Sequence, residues 1–448
     1  MTITANDVMW YWSAQKGLLL PTVGSVPTFA RAGNAFRRGV DGRHIILPTD
    51  TPRFEPEGLL LERAQTNELT GPFDINTTAT PWSGNTLFTV TEAPSIYEGE
   101  TAWRHANLGA ASSRARGQVI GVWTNETESL SIDVENVDSV STAIGMRDTD
   151  NSVWIGLGVF TWATGSIVDH GTSVGTDLAF EARRLSVAGP SGGEVYRLTV
   201  KAKIAAIDAG NARRDYLYLT GVGTNTDTAI IHAVNHVESG HIGSPADASR
   251  VTETMYWSPP PKAQAMVAYY RTLLDSSISE ISAESAVRFW SIYDDAYLHP
   301  GIYVGIDTAS SGRYFVQHEA AAGDSSFTSA NGFAFAGNDL CECVMVLFAN
   351  GSVRIMGRTN GGAITASTLG LTPTAATIND WSEDKLAINS HGSTTYPVKG
   401  HQHVQQLTMV KLAALDSPTN GDDDDSLMKE IAGFYMAPGG QSISNVRL

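Results

Sequence analysis

The stretch PRFEPEGLLLERAQTN, residues 52–67, has little helical or strand regularity. Pro52 and Pro56 interrupt it, Gly58 follows, and Leu59, Leu60 and Leu61 run straight into Glu62 and Arg63. An apolar triplet bounded by charge cannot sit on an open surface, because leaving three leucines in water forfeits their burial energy. The stretch therefore reads as a short segment clamped between other elements. Glu62, Arg63 and Asn67 turn toward polar partners, either as a surface ion pair beside a buried connector or as internal contacts.

Working outward, the chain of 448 residues is too long for one core and implies two to four domains. Only 17% of residues are charged, there are 43 glycines, and Gly, Ser and Thr punctuate the whole length. Long amphipathic stripes are rare. That combination predicts an all-β protein with many turns. The net charge of −17 argues against nucleic acid and against an anionic membrane surface, both of which call for clustered Lys and Arg. No apolar run is long enough for a membrane span, and MTITANDVMWYWSAQKG at 1–17 lacks the pattern of a secretory signal, so synthesis and folding in a cytoplasm are expected. Cys341 and Cys343 stand two apart and would share one face of a strand, which suits reduced, apolar core residues better than a disulfide or zinc.

Residues 1–70 form the expected N-terminal piece, irregular up to about residue 57, with an aromatic cluster at Trp10, Tyr11 and Trp12. That cluster either folds back on the next domain or docks the chain on a larger assembly. From 71 to 257 strand signals come at short intervals: LFTVT at 87–91, QVIGVW at 118–123, LSIDV at 130–134, EVYRLTVK at 194–201, DYLYLTG at 215–221 and the run 229–237. GPSGG at 189–193 reads as a turn. Many short alternating strands over such a length fit a two-sheet antiparallel sandwich. SPPPK at 258–262 is the expected boundary, since three prolines stiffen a spacer and exclude strand pairing. Beyond it AVRFWSIY (286–293), GIYVGI (301–306), GRYFVQ (312–317), ECVMVLFA (342–349) and SVRIMG (352–357) read as strands of a second sandwich spanning 258–448. Asn350-Gly351 supplies a hairpin turn. The run AQAMVAYYRTLLDSS at 263–277 fits a helix face and also alternates. Near the end, Leu427, Ile431 and Phe434 mark a short helix behind Asp422–Asp425.

Candidate sites are few. In SVWIGLGVFTW (152–162), strict alternation puts Trp154, Phe160 and Trp162 on one face. Those three could make a stacking platform for a sugar. Alternatively the same face is the sandwich core. Asp422–Asp425 could bind calcium, but helix capping explains them. His401 and His403, with His391 as a candidate neighbour in space, are a conceivable metal pair without an evident third ligand, and solvent-exposed imidazoles on a strand are the simpler expectation. No metal site, no cofactor and no catalytic constellation is therefore assigned. The G-x-S-x-G, H-E-x-x-H and P-loop patterns are absent from the sequence.

The wording of residues 52–67 is more specific than its composition. With PTFARAGNAFRRGVDG at 27–42 and Trp82 downstream, it resembles a segment near the start of virion proteins of tailed bacteriophages. NHVESG at 235–240 followed by ASRVTE at 248–253 resembles the segment that closes the first lectin-like sandwich of such proteins. CVMVLFANGSVRIMGRTNG (343–361), DKLAINSHG (384–392) and the run from 400 to 417 resemble the middle and closing strands of laminin-G/concanavalin-like domains. The resemblance implies tandem jelly rolls, a strand rather than a helix at 263–277, and a structural role for Glu62, Arg63, Asn67, Glu238 and Arg250. Glu62 or Glu238 is expected to pair with Arg250. It further implies a virion adsorption component, a tail fibre, baseplate fibre or head spike. Such a component would be a homotrimer, attached to other virion proteins by its N-terminal segment and facing host polysaccharide. A capsid decoration protein without a receptor, and a glycan depolymerase on the same fold, are the rival expectations.

Overall fold

A computed structural model of the chain describes residues 8–13, 27–39, 41–62, 65–76, 82–84, 88–107, 116–218, 227–238, 243–245, 249–250, 253–258, 266–274, 286–293, 301–307, 313–319, 325–330, 339–347, 353–366, 385–388 and 402–411. Among them the regular structure is β-strand, apart from one 3-10 turn at Ala206–Asp208. Every strand pairing within the sheets is antiparallel. The chain folds as two compact units and passes between them four times: one holds residues 1–32, 50–64 and 252–448, the other 33–49 and 65–251. Each is an antiparallel β-sandwich of jelly-roll type.

In the unit built mainly from residues 65–251, one sheet runs in the order Thr176–Ser186, Val195–Lys203, Thr127–Asn136, Thr228–Val237, Thr101–Asn107, Phe88–Pro94. The facing sheet runs Ser166–Asp169, Val153–Thr161, Ser141–Asp148, Ala212–Tyr218, Arg116–Val122, Ser83–Gly84. The strands pass back and forth between the two sheets, so that Thr228–Val237 lies between two strands far from it in sequence. Alternation works as the residues predict: Tyr196, Leu198 and Val200 enter the core with Leu130, Ile132 and Ile144, while Arg197 on the other face meets Asp133. The GPSGG turn is closed by Gly189 N–H donating to Gly193 O at 2.6 Å, and the buried Glu135 carboxylate accepts from Ser191 N–H and Gly193 N–H.

In the unit built mainly from 252–448, the first sheet runs Thr365–Ala366, Val353–Thr359, Leu340–Leu347, Met266–Leu274, Gln402–Lys411, Gly58–Leu61, Arg53–Glu55, with Val8–Ser13 also paired to Gln402–Lys411. The second runs Thr28–Ala30, Thr254–Trp257, Lys385–Ile388, Ala286–Tyr293, Gly301–Asp307, Arg313–Glu319, Ser325–Ala330. Residues 266–274 are a strand, which settles the ambiguity of that run. Cys341 and Cys343 are free, buried in the core between the sheets, and burial pushes both thiols above their ordinary range. The strands flanking Asn350-Gly351 pair as a hairpin, Leu347 opposite Val353, while the turn itself lies outside the described residues. The expected C-terminal helix and Asp422–Asp425 also lie outside them.

The described residues of 1–70 do not stand apart from the sandwiches. Val8–Ser13, Thr28–Ala30, Arg53–Glu55 and Gly58–Leu61 are strands of one unit, and Ala35–Arg38 with His44–Leu47 form a hairpin in the other. The opening stretch that looked irregular is a tight hairpin. Glu55 pairs with Gly58 across a two-residue turn, Pro56-Glu57, and Leu59 and Leu61 enter the core. Short strands of three and four residues are too brief to display a period.

Gly58 makes this hairpin possible. Its φ is +141°, and a Cβ there would stand 2.6 Å from the Val404 carbonyl oxygen. Gly58→Ala is expected to lose about 1–3 kcal/mol through backbone strain and the close contact. Chemical denaturation measures it; a loss below about 0.5 kcal/mol would mean the hairpin yields freely.

Candidate functional site

The two phrases singled out in the sequence meet through buried charge. Arg53, in the first phrase, hydrogen-bonds both Glu62 of the same phrase and Glu253 of the second. All three side chains are buried. Glu62 N–H donates to a Glu253 carboxylate oxygen at 3.0 Å, and Glu253 N–H donates back to Glu62 O at 3.0 Å. Arg31 adds a hydrogen bond to the other Glu253 oxygen at 3.2 Å. Burial works against the Arg53 charge, but Glu253 and Glu62 outweigh it and hold the guanidinium above its ordinary value. For Arg31 burial prevails and lowers the value.

Of the residues expected to be structural, Glu62 belongs to this cluster, with Arg53 as its ion partner. Asn67 lies in the other unit, where its side-chain oxygen accepts from Leu69 N–H at 3.2 Å and His236 N–H at 3.1 Å, joining it to the NHVESG phrase. Glu238 is partly exposed and 3.6 Å from Arg213, and burial raises its carboxyl above the usual range. Arg63 and the side chain of Arg250 lie outside the described residues, and with them the expected pairing to Arg250; among the described residues Glu62 pairs with Arg53 and Glu238 with Arg213. Residues 249–250 do pair as a short strand with Gln65–Thr66. Arg53 and Glu253 both stood in the quoted phrases; what singled neither out is their separation of 200 residues.

His236 centres a second buried cluster. Its Nδ1–H donates to Asp215 at 2.7 Å and its Nε2–H to Glu128 at 3.1 Å, and Arg213 also donates to Glu128. Burial favours a neutral ring, but Asp215 and Glu128 outweigh it and raise the imidazole to about 9. The carboxylates of both clusters are enclosed and ion-paired, so neither cluster offers a carboxylate to a glycosidic bond.

The expected sugar platform is divided. Phe160 and Trp162 are buried, packed on Tyr196 at ring distances of 4.9 and 5.7 Å. Trp154 is on the opposite face. The pairing of Ser141–Asp148 with Val153–Thr161 slips between Met146 and Arg147, so Ile155 is an extra residue and the strand's facing reverses there. Strict alternation could not show this bulge. Ile155 enters the core instead.

Trp154 has other neighbours. Its ring lies 5.2 Å from Tyr216 and 6.0 Å from Tyr218, both edge-on, and Tyr216 and Tyr218 stack 6.3 Å apart. The Arg147 guanidinium sits 5.6 Å over Trp154 and that of Arg214 sits 5.3 Å over Tyr216. Trp154, Tyr218, Arg147 and Arg214 are half-buried, and Tyr216 is buried beneath them. Gly145 lies opposite Tyr216, where a Cβ would stand 3.1 Å from the Trp154 ring. The result is an aromatic face edged by two guanidinium groups. It can stack on the apolar face of a pyranose and donate hydrogen bonds to hydroxyl or carboxylate oxygens. Tyr216 and Tyr218 were legible as same-face residues of DYLYLTG; their meeting with Trp154 was not.

No protein-family model matches the chain, and no curated protein matches it. Among solved structures it is similar to the native heptameric SAP-like pentraxin from Limulus polyphemus, with a TM-score of 0.24 and 9% identity over 34% of this chain and 67% of that one. The assignment of the sandwiches rests on strand pairing, not on that likeness. Among the described residues no helix is long and apolar enough to cross a membrane.

Proposed function

We propose that the chain is a structural virion protein of a tailed bacteriophage, an adsorption component that binds host surface glycan through the face formed by Trp154, Tyr216, Tyr218, Arg147 and Arg214. The observation that carries the glycan reading is that face: half-buried aromatic rings edged by donors suit a sugar. The phage reading is supported by the wording of residues 27–67 and 235–253. The buried Arg53, Glu62 and Glu253 contacts lend those phrases a structural meaning. The protein acts by binding rather than turnover, attaches to the particle by its N-terminal part, and works as a homotrimer whose copies multiply a weak sugar affinity.

Replacing Trp154 and Tyr218 together with alanine is expected to weaken binding to host polysaccharide by about 2 kcal/mol, roughly 30-fold in Kd, while the fold persists. Binding of purified protein to immobilised polysaccharide measures this. An unchanged Kd removes this face from the reading. Polysaccharide shortened on incubation replaces binding with depolymerisation. Gold-labelled antibody against residues 258–448 on intact particles tests the virion assignment separately: label at the tail end or on a head spike supports it, label spread over the capsid turns it to decoration, and unlabelled particles end it.

A further inference from the structure

One group of His and carboxylate side chains takes no part in the glycan face. His403 lies on Gln402–Lys411 opposite Leu60. Glu55 ends the strand Arg53–Glu55, and Glu57 stands in the two-residue turn after it. One ligand atom from each of Glu55, Glu57 and His403 lies within 4.8 Å of the other two. His403 Nε2 is 3.3 Å from Glu55 Oε2. The ring is buried at 1% exposure, and its Nδ1 has no hydrogen-bond partner among the described residues. The polar interaction of this imidazole is thus aimed at the carboxylates.

The backbone beneath the three is held from several sides. Leu59, Leu60 and Leu61 pair with Val404, His403 and Gln402. Gln405 donates to the Glu57 carbonyl at 3.1 Å, and Gly58 lies close against Val404 O. The backbone that carries the ligands is therefore set before any ligand arrives, which lowers the cost of binding. Two carboxylates this close repel one another when both are ionised. A divalent cation serves both and accepts the imidazole as well.

We propose that Glu55, Glu57 and His403 form a binding site for a divalent transition-metal ion of the zinc type. One imidazole nitrogen with two carboxylate oxygens suits such ions, whereas calcium and magnesium take oxygen ligands alone. Two ligands on one tetrahedral zinc, at bonds of 2.0–2.1 Å, stand about 3.3 Å apart. That is the separation of His403 Nε2 and Glu55 Oε2. A change of side-chain rotamer at Glu57 completes the three, and a fourth position stays open to water or an external ligand. The bound ion fastens the hairpin 53–61 to the strand Gln402–Lys411.

The test uses the full chain freed of metal by chelator. Titration calorimetry with zinc is expected to give a site that the paired substitution Glu55→Gln with Glu57→Gln weakens by about 100-fold. Zinc should raise the thermal midpoint of the wild type and leave that of the variant unchanged. Cobalt at the same site should give the intense visible bands of a tetrahedral centre, and millimolar calcium or magnesium should not displace it. The isosteric glutamines keep the shape of half-buried residues, and circular dichroism checks their fold; Glu57→Gln alone, in the turn, is the second variant. Absence of zinc binding, or zinc binding undiminished in the folded variants, overturns the proposal and leaves a hydrogen-bonded His–Glu pair. Neither result touches the glycan face, which lies in the other unit.

Discussion

Arg53→Ala is expected to destabilise the unit that holds residues 252–448 by about 3–5 kcal/mol. The reason is the debt left behind. Arg53, Glu62 and Glu253 are each enclosed, and among the described residues the guanidinium is the cation that both carboxylates contact. Removing it leaves two carboxylates facing each other, with Arg31 reaching Glu253 at 3.2 Å. An uncompensated buried charge costs more than the lost pair ever contributed. Trp257 and Trp290 lie in the core of this unit, so tryptophan fluorescence in a urea titration reports it. Arg53→Lys keeps the charge and should lose clearly less. If lysine and alanine are equally damaging, packing rather than charge is responsible; if alanine falls within about 0.5 kcal/mol of wild type, the cluster is not what joins the two phrases.

The same cluster shows what could be read from the residues and what could not. A short apolar run bounded by turn residues reads as a strand even when both its faces are buried, and AVRFWSIY matches the observed Ala286–Tyr293 to the residue. Thr176–Ser186 carries Asp177, Glu181, Arg183 and Arg184 on an edge exposed along most of its length, and its pattern of charge hid it. STAIGMRD, the strand Ser141–Asp148, starts with a polar pair and contains a glycine, so it gave no strand signal. Periodicity also assumes an unbroken register, and one bulged residue at Ile155 moved Trp154 from the core side to the outer face. Pairings across long separations lie beyond any local pattern. Glu62 was legible as a charge needing an internal partner, whereas the choice of Arg53 and Glu253 depends on how the hairpin 53–61 and the strand Thr254–Trp257 enter the sandwich. His403, expected at the surface, is buried, on a strand that lies inside the sheet between Met266–Leu274 and Gly58–Leu61.

The other unit should lose stability in alkali rather than in mild acid, and His236 is the cause. Its ordinary value is 6.5 and its folded value about 9, because Asp215 and Glu128 outweigh the effect of burial. A group whose value rises on folding binds its proton more tightly in the native state. Its contribution is therefore complete below pH 6.5 and declines as pH rises through about 9. A rise of this size corresponds to about 3 kcal/mol, as an order of magnitude. Glu128 moves the other way. Burial would raise its carboxyl, but His236 and Arg213 pull it below the ordinary 4.5, so its share appears above that pH and fades in stronger acid. The two together place the cluster's greatest contribution between about pH 4.5 and 6.5. Urea midpoints at pH 6, 7.5 and 9 should fall steadily for wild type, and His236→Gln should flatten that fall while lowering the midpoint at pH 6 the most. Nuclear magnetic resonance of the ring in the intact protein gives a second reading that needs no variant: a His236 titration near 9 agrees, whereas one at or below 6.5 would sink the argument, since a neutral imidazole between two carboxylates would then have been the folded state all along.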